Sequence, residues 1–142
     1  MSIAALMAAR QKLSTDADLT AYLLDRYSKP AKHIVGYRRP NNANDFPVLC
    51  YTPAMSTRAD QIGGRNKERI SIVVGVHEPA ITDDVFDGIT QLAAIEDLIF
   101  KCMETGELGQ GAVYLGEPRI IGDLAARHPF HELEISVLVA AT

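Results

Sequence analysis

The sequence predicts an α+β fold: a mostly antiparallel or mixed β-sheet of about five strands with helices packed on one face. Three observations carry this. From His131 to Ala140 the chain alternates, with Leu133, Ile135, Val137 and Val139 on one side and Glu132, Glu134, Ser136 and Ala140 on the other. Leu138 is the one apolar exception, and the period of two is that of a half-buried strand. Lys67 to His77 repeats the pattern through Ile70, Ile72, Val74 and Val76. Between the two, Val85, Ile89, Leu92, Ile95, Ile99 and Met103 recur at helical spacing. The order helix, helix, three strands, helix, two strands has no βαβαβ alternation, which favours a sheet with its helices on one side.

Taken in order, Ser2 is placed to cap a first helix running to about Lys12, with Ile3, Leu6, Met7 and Leu13 near one stripe. Ser14 or Thr15 is expected to start a second helix, with Asp16 and Asp18 at its positive end and Leu19, Tyr22, Leu23 and Tyr27 along it. That helix stops before Pro30. His33 to Tyr37 is a short strand, and Arg38 to Phe46 a loop rich in Asn and Pro. Pro47 to Thr52 is a second strand, closed by Pro53, and Ala54 to Asn66 a second long irregular stretch around Gly63-Gly64. Loops of this length inside a compact domain are usually functional or mobile.

After the third strand, Pro79 ends the extended run, and Thr82 is expected to cap the main helix with Asp83 and Asp84 in its first turn. Gly106 and Gly109 lie past its end. Ala112 to Gly116 is a fourth strand, and Arg119 to Ile121 continues it beyond Pro118 as a bulge or an edge. Residues 122–129 connect to the closing strand. The expectation is a single domain over 1–142: helices in 1–28, three strands and two long loops in 32–77, the main helix in 82–105 and two strands in 112–141.

Composition narrows the function. The chain has 142 residues, 47% of them hydrophobic, and a net charge of -4. A domain of this size buries roughly 70% of its unfolded surface. The negative balance argues against a general duplex-DNA binder, which carries a basic excess. Met1 to Arg10 has no basic cluster ahead of an apolar run, so it does not read as a signal peptide. No stretch approaches the roughly 20 apolar residues of a membrane span. Cys50 and Cys102 are expected to be small buried hydrophobes in a reducing cytoplasm.

Candidate chemistry is sparse. His77, Glu78, Asp83 and Asp84 are the nearest approach to an acid–base cluster, but the aspartates are accounted for by a helix start. His128 and His131 are three apart, which on a strand places them on opposite sides, as solvent-facing groups and not as metal ligands. No phosphate loop, nucleophile elbow or paired Cys motif occurs. The expectation is therefore no catalytic group, no metal and no cofactor. Arg38 and Arg39, and the group Arg58, Arg65, Lys67 and Arg69, are either solvated charge or docking groups for an acidic neighbour.

A short strand ending in Gly36-Tyr37, a strand opened by Phe46-Pro47, a helix entered through Thr82-Asp83-Asp84, and a last strand led by His128-Pro129-Phe130 follow the N-terminal helix pair. That series resembles the tail terminator proteins of long-tailed bacteriophages, the minor tail protein U family, over nearly the whole chain. The resemblance implies an α/β sandwich and a homo-oligomeric ring, a hexamer. The ring caps the tail tube, stops its polymerisation and presents a surface to the neck or head-completion protein, while genomic DNA passes through without sequence-specific binding. It implies a place at the head-proximal end of the tail in the virion, after assembly in the host cytoplasm, and no membrane. A closed ring needs a head-to-tail interface. Free sheet edges, His33–Tyr37 and Val113–Leu115, are candidates for it. So are the loop residues Arg38, Arg39, Asn42, Asn44, Arg58, Asp60, Arg65 and Lys67, facing a neighbouring subunit, the tube or the neck. A neck connector, a small hydrolase built on His77, Glu78 and Asp83, and a monomeric ligand-binding module remain as alternatives.

Overall fold

Strand β3 (Asn66–His77) is the spine of the sheet, antiparallel to both of its neighbours, β2 (Val48–Thr57) and β8 (Phe130–Ala141). The computed structural model describes residues 3–37, 42–57, 66–122 and 128–141. Beyond β2 lies β1 (Lys32–Val35), the one parallel neighbour, and beyond β8 come β7 (Ala112–Ile121) and β6 (Glu107–Gly109). The order β1-β2-β3-β8-β7-β6 makes a mixed six-stranded sheet. Helices α1 (Ile3–Ser14), α2 (Ala17–Tyr27) and α3 (Asp87–Met103) pack on it.

The core forms where the alternation predicts. Ile70, Ile72 and Val74 of β3 stand opposite Val137, Ile135 and Leu133 of β8. With Val76, Val139, Leu49 and Tyr51 they make a buried floor under the helices. Each such side chain contributes about 1.5–3 kcal/mol by leaving water. From α3 the floor meets Leu92, Ile95, Ile99 and Met103, and from α2 Leu19 and Leu23. The α1 contact differs from the expected stripe: Ile3 is exposed, and Ala5, Ala8 and Ala9 are buried beside Leu6 and Leu13. Alanines give little hydrophobic signal, but their size lets a helix lie close on a sheet.

The opposite face of the sheet has its own small cluster. Phe46, Val48 and Cys50 pack with Ile34, Val73 and Phe130. Gly75 makes room for it, since a Cβ there would lie 2.8 Å from Phe46 Cε1. Cys50 and Cys102 are both buried free thiols. Burial, and then Asp16, push the Cys102 thiol up to about 11.

Several boundaries move for identifiable reasons. The sheet has one strand more than expected, because β6 is three residues long and too short to show a period. The cap of α2 is Asp16, which accepts from Leu19 N at 2.9 Å, and not Ser14 or Thr15. Pro53 does not end β2. Pairing with β1 stops at Tyr51, so Pro53 sits where no strand flanks it on that side, next to a register shift.

The largest correction concerns Thr82. It does not cap the main helix; Ile81–Thr82 (β4) and Val85–Phe86 (β5) form a separate two-stranded hairpin, and α3 begins at Asp87. Asp83 and Asp84 turn the hairpin at φ 51° and 64°. Two successive left-handed residues are what the tight turn of a two-residue hairpin requires, and Asp tolerates that region better than most residues. Val85 and Ile89, expected on the buried stripe, are exposed.

Candidate functional site

The loop candidates fall at two separate places. Asn42 caps a short 3-10 turn, Ala43–Asp45, its side chain accepting from Asn44 N at 2.9 Å. Lys29 Nζ donates to Ala43 O and Asn44 O, both at 3.3 Å, so this turn is tied to the segment that follows α2. It leads into Val48, which pairs with Gly75 near the C-terminal end of β3. Lys67 lies at the other end of β3, exposed, between Thr57 and Ala140. At about 3.3 Å per residue, these ends are roughly 25 Å apart. Arg38, Arg39, Arg58, Asp60 and Arg65 lie outside the described residues.

The acid–base alternative does not assemble. His77 packs its ring on Phe130, centroids 5.1 Å apart. Glu78 instead ends a polar relay on the other side. Tyr27 Oη donates to Gln91 Oε1 and Gln91 Nε2 donates to Glu78 Oε1, each at 2.6 Å. Burial raises the Tyr27 hydroxyl above its ordinary range, with Tyr22 and Glu78 adding to it, so it stays a donor. The relay fastens α2 and α3 to the end of β3. Asp83 stands exposed at the hairpin tip, with no bond to His77 or Glu78.

Of the two histidines expected to face solvent, His128 is exposed and His131 is not. His131 is fully buried on the core face of β8, its Nε2 3.1 Å from His128 Nδ1. The strand rule fails because β8 starts only at Phe130, leaving His128 in the preceding turn. Phe86 stacks on His128 at 4.6 Å and anchors the hairpin there. Among the described residues no three His, Cys, Asp or Glu side chains are grouped to hold a metal ion. A pair alone falls short of the three or four ligands a metal site needs.

Two further polar contacts carried no sequence signal. His33 Nδ1 lies 2.7 Å from Tyr51 Oη under α1, and Arg10 Nε donates to His33 O at 3.1 Å. Burial, aided by Arg10, lowers the His33 ring to about 4, so it is neutral at pH 7. Arg69, expected as solvated or docking charge, is instead nearly buried and reaches along the other face. Its guanidinium donates to Glu117 O at 2.9 Å and Ser136 Oγ at 3.1 Å, with the Glu117 carboxylate 3.4 Å away.

Both free edges of the sheet are blunted, which changes the expectation that they pair with a neighbour. On β1 only four residues are extended, and Arg10 occupies the His33 carbonyl. On β7, Val113 is covered by β6, so the open edge begins after Tyr114. There the register shifts twice, Glu117 turns at φ 48°, and Pro118 offers no N–H. Bulges and prolines of this kind prevent strand addition. Among the described residues, no helix is long and apolar enough to cross a membrane.

No protein-family model matches the sequence, and no curated protein matches it. Among solved structures, the chain is similar to a chain of the virion of a native gene transfer agent particle, with a TM-score of 0.61 and 14% identity. The match covers 95% of this chain and 91% of that one, so the two share a fold across essentially their full lengths.

Proposed function

We propose that this chain is a structural protein of a virion, and within it a tail terminator: a homo-oligomeric ring, six copies, seated on the last ring of the tail tube. The ring stops tube polymerisation, offers its far side to the neck or head-completion protein, and leaves a channel for genomic DNA. The observation that carries the reading is the shared fold with a virion chain over nearly the full length of both. The sequence reached the same class independently, through the order and length of its elements.

Two physical features fit it. The one acid–base candidate cluster is dispersed: Glu78 is spent on a structural relay and His77 on an aromatic contact. The net charge of -4 suits a conduit, because a basic wall would hold DNA back. In this reading Asn42 and Asn44 face one neighbour. Lys67, at the opposite end of β3, faces another. No cofactor is required.

Deleting the gene tests the function. Overlong tails without heads are the expected product. Tails of correct length beside unjoined heads would assign the chain to the neck, and normal particles would remove it from tail assembly.

A further inference from the structure

The edge strand β1 is lightly held, and a titratable ring sits at its attachment. None of its four residues is fully buried. Ile34 and Val35 lend part-buried side chains to the two apolar clusters, one on each face of the sheet. Lys32 N donates to Pro47 O at 2.9 Å and Gly36 N to Tyr51 O at 2.8 Å, which brackets the pairing with β2. Gly36, just past the strand, turns at φ 108° with nothing within 4 Å of where a Cβ would lie. A short edge strand of this kind opens at lower free energy than the centre of the sheet.

His33 makes that attachment depend on a proton. Tyr51 is fully buried, and burial holds its hydroxyl protonated. The His33 ring is neutral at pH 7, so its Nδ1 accepts from Tyr51 Oη across 2.7 Å. A proton added to Nδ1 turns that nitrogen into a donor. Two hydrogens then face each other, and the Tyr51 O–H is left in the core without its acceptor. The Arg10 guanidinium, reaching from α1 to the His33 carbonyl at 3.1 Å, adds like-charge repulsion. No counter-charge offsets this among the described residues. Lys32, next in the strand, is paired with Asp45, and the other titratable groups acting on Tyr51 are the buried free thiols Cys50 and Cys102.

We propose that β1 is an acid-released edge strand: a proton on His33 drives β1 off β2 while the rest of the sheet stays folded. Detachment relieves both penalties together, because it returns the charged ring to water and takes it away from Arg10 and Tyr51. It also uncovers the outer edge of β2 along Val48–Tyr51, an apolar run whose backbone groups β1 otherwise pairs. The switch is a property of the single chain and does not depend on the ring reading above.

Amide hydrogen exchange of the full chain between pH 7 and 5 tests it, read as protection factors so that the intrinsic pH dependence of exchange drops out. The Lys32 and Gly36 amides are expected to lose about fivefold in protection by pH 5, while the β3 amides keep theirs. His33→Phe is expected to abolish the change. Tyr51→Phe, which lacks the hydroxyl that protonation strands, is expected to reduce it and gives a second, independent reading. Equal loss of protection in β1 and β3 would mean that the protonated chain opens as a whole, and overturns the proposal. So does β1 protection that stays constant with pH, or a pH dependence that survives unreduced in either variant.

Discussion

The imidazole of His131 packs against Gly88, so close that a Cβ at residue 88 would come within 2.2 Å of His131 Cδ2. The contact sets the first turn of α3 directly on β8 and lets the buried His131 reach His128. Gly88→Ala therefore overpacks a site with no slack, at a cost of about 3 kcal/mol. The denaturant midpoint is expected to fall with an unchanged slope. Adding His131→Ala to Gly88→Ala is expected to cost less than the two single changes combined, because the clash is shared.

The His33–Tyr51 contact gives the stability a pH dependence of known sign. The folded ring is lowered to about 4 from 6.5, so below pH 6.5 the unfolded chain takes up a proton that the folded one refuses. Stability is complete above that value and declines as the pH falls toward 4. The ring is partly open to solvent, so the loss is about 1 kcal/mol by pH 5. Thermal melts of the wild type and of His33→Phe between pH 7 and 5 are expected to converge as the pH drops. Parallel curves would contradict the assignment.

Arg69 holds the irregular part of β7 in place from across β8. Arg69→Met keeps the stem but leaves Glu117 O and Ser136 Oγ without their donor. A loss of about 1–3 kcal/mol is expected. Amide exchange is expected to quicken in residues 115–121 while β3 stays protected.

Ile72 and Ile135 face each other at the centre of the sheet. Either one changed to Asp places a carboxylate among apolar side chains with no partner, a cost above about 4 kcal/mol. Neither variant is expected in the soluble fraction. A cooperatively melting Ile72→Asp protein would show that the inward face is assigned wrongly.

These outcomes also mark how much was legible beforehand. The inward faces of β3 and β8 could be read directly, because each strand has one wet and one dry side, and a period of two survives in the residues. The Asp16 cap and the α1 contact were half visible. A cluster of Ser14, Thr15 and Asp16 says that a helix begins, and only backbone geometry says which oxygen reaches Leu19 N. The start of α3 was misread because Thr-Asp-Asp is good capping chemistry and good turn chemistry alike. What decides between them is the pairing of Ile81 with Phe86, and Phe86 takes that place because it stacks on His128, more than forty residues away in sequence. The Tyr27–Gln91–Glu78 relay was invisible for the same reason, since it exists only once distant segments meet, whereas the His128–His131 pair is local and depends on β8 starting only at Phe130. Of the candidate contact residues, the Asn42–Asn44 turn and Lys67 proved to sit at opposite ends of β3, a separation that no local pattern encodes.

The account stands or falls on a closed ring at one place in a particle. Cryo-electron microscopy of particles carrying an affinity-tagged copy of this chain reads that directly. Six copies in a ring between the tail tube and the neck, around an open channel, are the predicted result; a tag found elsewhere in the particle, or absent from it, would contradict the account.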